Sequence, residues 1–257
     1  MSQYKQWDIQ VFNKRTNTYH NDSAGKAVVM NSAQTLVTAS TLVTTVADQQ
    51  GTAQTQPITL SAGRLTFYTA KTVTTVDISI LLANGHAIYA RGLTSSVHRL
   101  DIYPEKREQM FVYPLLFLAA GTAVDTGFDL PIGCLIRDAI VRVLAVDSGE
   151  TVDLGFINAV ESGDEDGLRA LVSVASLGFV QDTAVITGGA NIDYTPVTTY
   201  GVLLRTSITG SDAVATNGGS TPIKYLTDGT IKSLSYTPSA GDTFKGLAYL
   251  FYDLLDG

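Results

Sequence analysis

Apolar side chains recur at every second position over much of this chain. Trp7, Ile9 and Val11 alternate with Asp8 and Gln10, the pattern of a strand with one buried face. Val76, Ile78, Ile80 and Leu82 alternate in the same way with Asp77, Ser79 and Leu81. Asn84-Gly85 then supplies two residues tolerant of positive φ, and His86 to Ala90 returns, which predicts a β-hairpin. Val28–Met30, Leu65–Tyr68, Phe111–Leu118, Phe179–Val185 and Gly201–Arg205 read as further strands. The threonine-rich run Gln34–Val46 reads as a strand or two. Lys224–Leu226 and Ile231–Thr237, on either side of Asp228-Gly229, form a second hairpin candidate, and Phe244–Tyr252 is the closing strand.

One stretch changes period. Val152, Leu154 and Phe156 lie on one face of a strand, and Glu161-Ser-Gly-Asp-Glu-Asp-Gly167 is an acidic, glycine-rich surface turn. Leu168, Leu171, Val172 and Ala175 then recur at i, i+3, i+4 and i+7, which predicts one short helix ending at Gly178. The rest is strands separated by turn signals every eight to twelve residues. The predicted fold class is therefore all-β: two β-sandwich or jelly-roll-like domains, with one short helix in the second. Tyr103-Pro-Glu-Lys-Arg-Glu-Gln109 suits a solvated connector. It divides the chain into an N-terminal domain over 1–102, a linker over 103–109 and a C-terminal domain over 110–257.

Composition adds three constraints. Of the 257 residues 45% are hydrophobic and only 16% charged, against about a quarter in an average domain, so there is ample material for a core. Cys134 is the single cysteine and cannot form an internal disulfide. Met1–Trp7 is polar and lacks the apolar segment of a secretion signal, and the apolar run around Val112–Ala120 is too short to span a bilayer. A soluble protein made in the cytoplasm is expected. The net charge of −7 is unevenly spread: ten Lys/Arg and seven Asp/Glu up to Glu108, then seven and seventeen from Gln109 onward. The acidic half is expected to be repelled by nucleic acid and by anionic membranes.

Two blocks of sequence resemble known proteins. Thr126-Gly-Phe-Asp-Leu-Pro131, Val152-Asp-Leu-Gly155, Glu161–Gly167, Val172-Ser-Val-Ala-Ser-Leu-Gly178, Tyr200-Gly-Val-Leu-Leu204 and Thr230–Thr237 are similar to a recurrent domain of tailed-bacteriophage virion proteins. Asp8–Asn17, Gly51-Thr-Ala, Gln56-Pro-Ile-Thr-Leu60 and Gly63-Arg-Leu-Thr-Phe-Tyr68 resemble phage head-decoration and fibre-base domains. The resemblance implies a β-rich homotrimer on the exterior of a capsid, contacting the major capsid protein, or a component of the tail. A decoration (cement) protein is expected first. The alternatives are a fibre base, adaptor or spike anchor, or a glycan-binding module for host attachment. No nucleic-acid or membrane partner is expected.

Candidate chemistry is sparse, and the expectation is a non-enzyme with no cofactor and no catalytic residues. Asp164, Glu165 and Asp166, with Glu161 nearby, offer carboxylate oxygens to Ca²⁺, but the spacing fits no EF-hand loop and the same residues suit a solvated turn before a helix. No carboxylate pair stands beside exposed aromatics as a glycosidase requires, and Trp7 reads as core. His20, His86 and His98 are far apart in sequence, with His86 read as solvated after its turn. Cys134, beside Leu135 and Ile136, reads as a small core residue. The last feature is a strand, Leu135–Val146, apolar on both sides but interrupted by Arg137, Asp138 and Arg142. These three are interface candidates, either reaching the sheet edge or pairing across a subunit boundary, because burying them unpaired would cost several kcal/mol.

Overall fold

The computed structural model describes residues 4–32, 46–116, 121–147, 149–157, 167–180, 225–227, 232–239 and 244–255. Among them are four sheets and no helix.

The N-terminal part is a sandwich of two sheets. In sheet A, β1 (Tyr4–Asn13) pairs antiparallel with β2 (Thr18–Tyr19) and β5 (Arg64–Ala70), and parallel with β8 (Val97–Ile102). Sheet B runs β4 (Ile58–Thr59), β3 (Lys26–Asn31), β6 (Thr75–Leu81), β7 (Ala87–Thr94). The alternation of β1 is the one its sequence predicts: Trp7, Ile9 and Val11 point inward with Leu65 and Phe67 of β5. They meet Ala27, Val29, Val76, Ile78 and Ile80 of sheet B. Trp7 and Phe67 stack with ring centroids 5.8 Å apart, and the buried indole N–H donates to Thr69 Oγ1 at 2.8 Å. The predicted Asn84-Gly85 hairpin is present between β6 and β7, with Gly85 at φ 84°.

The C-terminal part is a second sandwich. Sheet C runs β14 (Gly178–Val180), β11 (Cys134–Ala145), β17 (Lys245–Leu254), β9 (Glu108–Leu116), and the two-residue β15 (Tyr225–Leu226) also pairs with β11. Sheet D runs β10 (Val124–Leu130), β16 (Lys232–Pro238), β12 (Thr151–Ile157), β13 (Arg169–Ser173). Among the described strands of this domain, leaving β15 aside, sheet C takes the first, eighth, third and sixth, and sheet D the second, seventh, fourth and fifth. Every pairing is antiparallel. This is the strand order of a jelly roll.

Two sequence expectations are corrected. The predicted short helix is absent: β13 and the start of β14 occupy its place. Leu168, Val172 and Val174 are buried and Ala175 is exposed. A spacing of four satisfies a period of two as well as a period of 3.6, so Leu168 and Val172 fit either element, and pairing to β12 decides for the strand. The second hairpin candidate does not close on itself, since β15 pairs with β11 and β16 lies between β10 and β12. The threonine-rich run at 34–45, the acidic turn at 161–166 and the strand read at Gly201–Arg205 lie outside the described residues.

The expected connector runs from β8 to β9. Tyr103, Glu105, Lys106 and Arg107 are exposed, and the Lys106 N–H bonds to the Tyr103 carbonyl in a turn. The sandwiches are nonetheless in close contact. Sheet B is buried on both faces along β3 and β6: Val28, Met30 and Leu81 point away from the first core and join the second, with Phe111, Tyr113 and Phe128. Lys26 reaches Asp129 at 3.0 Å and the Gly127 carbonyl. The β6–β7 turn fits against the second sandwich so closely that a Cβ on Gly85 would lie 2.7 Å from Leu254 and 2.9 Å from Pro131. Tyr252 donates its hydroxyl to the Gly85 carbonyl at 2.6 Å.

Candidate functional site

The three interface candidates lie on β11, the strand of sheet C that carries β17 along one edge and β14 and β15 along the other. Two bulges interrupt this apolar strand, and the first of them accommodates Arg137. The register with β17 shifts between Ile136 and Asp138 and again between Val143 and Ala145, and such an extra residue re-aims its side chain without breaking the rest of the ladder.

Arg137 is the extra residue of the first bulge. Its guanidinium bonds Glu108 on β9 at 3.0 Å and Asp253 on β17 at 3.2 Å. The Glu108 hydrogen bond, then the Asp253 charge, hold its pKa above the ordinary arginine value. Asp138, next along, accepts from the Ala139 N–H at 2.8 Å and from Arg169 at 3.0 Å. Arg169 belongs to β13 of the opposite sheet, is only 5% exposed, and also donates its Nε–H to the Ala139 carbonyl. The Asp138–Arg169 pair therefore crosses the inside of the jelly roll. Arg142 lies opposite Phe179 of β14 and Leu247 of β17, with its guanidinium carbon 5.4 Å from the Phe179 ring centroid.

Arg137 and Asp138 thus meet their partners within the chain, and Arg142 stands in an apolar surface. Phe179 is 54% exposed and packs obliquely on Tyr249, centroids 5.5 Å apart. Leu177, just before β14, and Val146, just after β11, are also exposed. Where this surface meets sheet B, Tyr89 of β7 directs its hydroxyl toward Asp77 at 3.5 Å. Burial first, then the charges of Asp77 and Tyr249, push that hydroxyl above its ordinary pKa. Asp77 itself accepts from the Gly92 N–H and faces Arg91.

The sequence reading did not single out Arg169 or Phe179. Strict alternation from Val172 turns position 169 outward, but a register shift in the β12–β13 pairing sets Arg169 opposite the inward-facing Leu154. Phe179 was legible as a strand residue, and its exposure depends on β14 lying at the rim of sheet C.

The remaining candidates divide cleanly. Asp164, Glu165 and Asp166 lie outside the described residues, and among the described residues no group of three or more His, Cys, Asp or Glu is placed to hold a metal ion. Cys134 is fully buried, as its setting predicts, and burial pushes its thiol up to about 12 against a lowering hydrogen bond with Thr227, so it stays protonated at neutral pH. His98 is held near the surface by Ser96 Oγ at 2.9 Å and the Thr94 carbonyl at 2.6 Å. His86 is not solvated: it is 6% exposed, because the docked turn draws it into the junction between the sandwiches.

No family model, curated protein or solved structure matches this chain.

Proposed function

We propose that the chain is a structural protein of a tailed-phage virion: a homotrimeric decoration (cement) protein on the capsid exterior that bridges neighbouring major capsid subunits. The observation that carries this reading is the jelly-roll strand order of the C-terminal sandwich, an architecture that recurs in viral capsid proteins. Its described residues include Thr126–Pro131, Val152–Gly155 and Val172–Gly178, three of the motifs that resemble virion proteins. The exposed Phe179 and Leu177 beside Arg142 supply the apolar centre and cationic anchor that protein interfaces favour.

The mechanism is mechanical. Each trimer buries area on adjoining capsomers, and contributions too small to matter singly add up over many copies against outward pressure. In this reading the mildly basic N-terminal half docks on the shell and the acidic C-terminal half faces solvent. Sedimentation of the purified protein, with densitometry of purified particles, tests it. A trimer present at on the order of hundreds of copies per particle is expected of a repeating shell component. About a dozen copies or fewer assign it to the tail, and a monomer absent from particles overturns the reading. Labelled C-terminal domains at the inner capsid surface would reverse the orientation.

A further inference from the structure

The tip of the β6–β7 hairpin is one of the places where the two sandwiches grip each other, and a histidine lies inside that grip. Gly85 gives its carbonyl to Tyr252, the Ala87 N–H bonds Gln109 Oε1 at 3.0 Å, and Gln109 Nε2 returns to the Lys106 carbonyl at 2.6 Å. His86, between Gly85 and Ala87, is 6% exposed, and neither ring nitrogen has a hydrogen-bond partner in the protein. The ring borders a cleft of about 310 Å³ whose other walls include Tyr89, Asp101, Tyr103, Lys106 and Glu108.

We propose that this hairpin tip is an acid-released latch, in which protonation of His86 frees the tip from the C-terminal sandwich. A charged imidazolium needs an acceptor for each of its two N–H groups, and the protein atoms around the docked ring accept from neither nitrogen.

The charges around the ring do not supply that partner. From β8, Asp101 is engaged by Lys14 at 3.2 Å and Arg99 at 2.8 Å. From β9, Glu108 is engaged by Arg137. The connector presents Lys106, which opposes a second positive charge, and Glu105, which favours one. His20 adds repulsion once charged, and the Tyr89 hydroxyl on β7 is directed at Asp77. The carbonyls of Pro104 and Tyr103 lie near enough to favour the charged ring, but without hydrogen-bond geometry to either nitrogen. Burial is the largest influence, and the net shift is downward from 6.5. The released tip therefore binds the proton more readily than the docked one. Docking is complete above the ordinary histidine pKa and weakens as the pH falls through and below it.

Hydrogen exchange of residues 84–88, taken as a ratio to residues 76–80 of the same sample, cancels the intrinsic pH dependence of exchange. Between about pH 7.5 and about pH 5 this ratio should rise roughly threefold or more in the unaltered chain. His86→Gln, neutral at both values, should flatten the rise, whereas His20→Gln should keep it. An unchanged ratio in the unaltered chain, or an equal rise in His86→Gln, overturns the proposal. If His86→Gln does not fold, the ring's own NMR titration decides: a midpoint below 6.5 coupled to loss of the Ala87 amide protection supports the latch, and a midpoint at or above 6.5 overturns it.

Discussion

Between sheets A and B the contacts are aromatic and aliphatic, centred on the stacked Trp7 and Phe67; between sheets C and D an arginine crosses the gap to a carboxylate and a carbonyl on the far strand. In the first sandwich the ion pair of Arg64 and Asp8 lies on the outer face of sheet A, held through two bonds, and on the same sheet the Arg99 guanidinium lies 3.9 Å from the Phe12 ring centroid. In the second, one charged pair is structural. A truncated apolar core loses stability according to the cavity that partial collapse leaves behind. An ion pair with one buried member instead loses its hydrogen-bonded charge partner when either side is removed. The two halves should therefore respond to mutation by different rules.

Phe67→Ala should have the largest effect, about 4 kcal/mol of lost stability from the cavity beside Trp7, measured by denaturant unfolding. Arg169→Met should cost about 2 kcal/mol by removing the hydrogen-bonded ion pair with the partly exposed Asp138 and the bond to the Ala139 carbonyl. Adding Asp138→Leu to that variant should restore most of the loss, and a double-mutant cycle that comes out additive would remove the strut from the account. Because sheet B contributes to both cores, both variants should lower a single unfolding transition; two separated transitions would contradict the shared layer.

Asp22 sharpens the contrast from the N-terminal side. Burial acts to raise its pKa, but the amides of Ala83, Ala24 and Gly25, helped by His20, outweigh it and the net shift is downward from 3.8. A depressed carboxyl pKa contributes stability that is complete above the ordinary value and lost as the pH falls through the depressed one. Asp22→Ala should cost about 2 kcal/mol at neutral pH and remove that acid limb. Smallest of all, Phe179→Ala should change stability by no more than about 0.5 kcal/mol, since more than half of its surface is open to solvent, and should weaken in sedimentation the self-association proposed above.

Much of this fold was legible from residue order. Period-two runs at Trp7–Val11 and Val76–Leu82 each became a strand with the predicted inward face, and Asn84-Gly85 became the turn between β6 and β7. What failed did so where pairing overrides local pattern. Leu168 and Val172 suited a helix until β12 supplied a partner, and Arg169 turned inward only through a register shift. His86 read as solvated because nothing local to a β-turn reveals that another sandwich lies against it. The charged residues of β11 were correctly marked as needing partners, but Glu108, Asp253 and Arg169 lie 29, 116 and 31 positions away, and sequence spacing carries no trace of that.

Sheet B, finally, constrains its own strands to an unusual degree. Ala27 and Val29 feed one core while Val28 and Met30 feed the other. A slip of one residue in β3 would exchange the two sets and misfill both interiors in a single step. Most strands with one wet side can hide a mistake by turning it toward solvent. This one has nowhere to put an error, so its alignment is proofread from above and below at once.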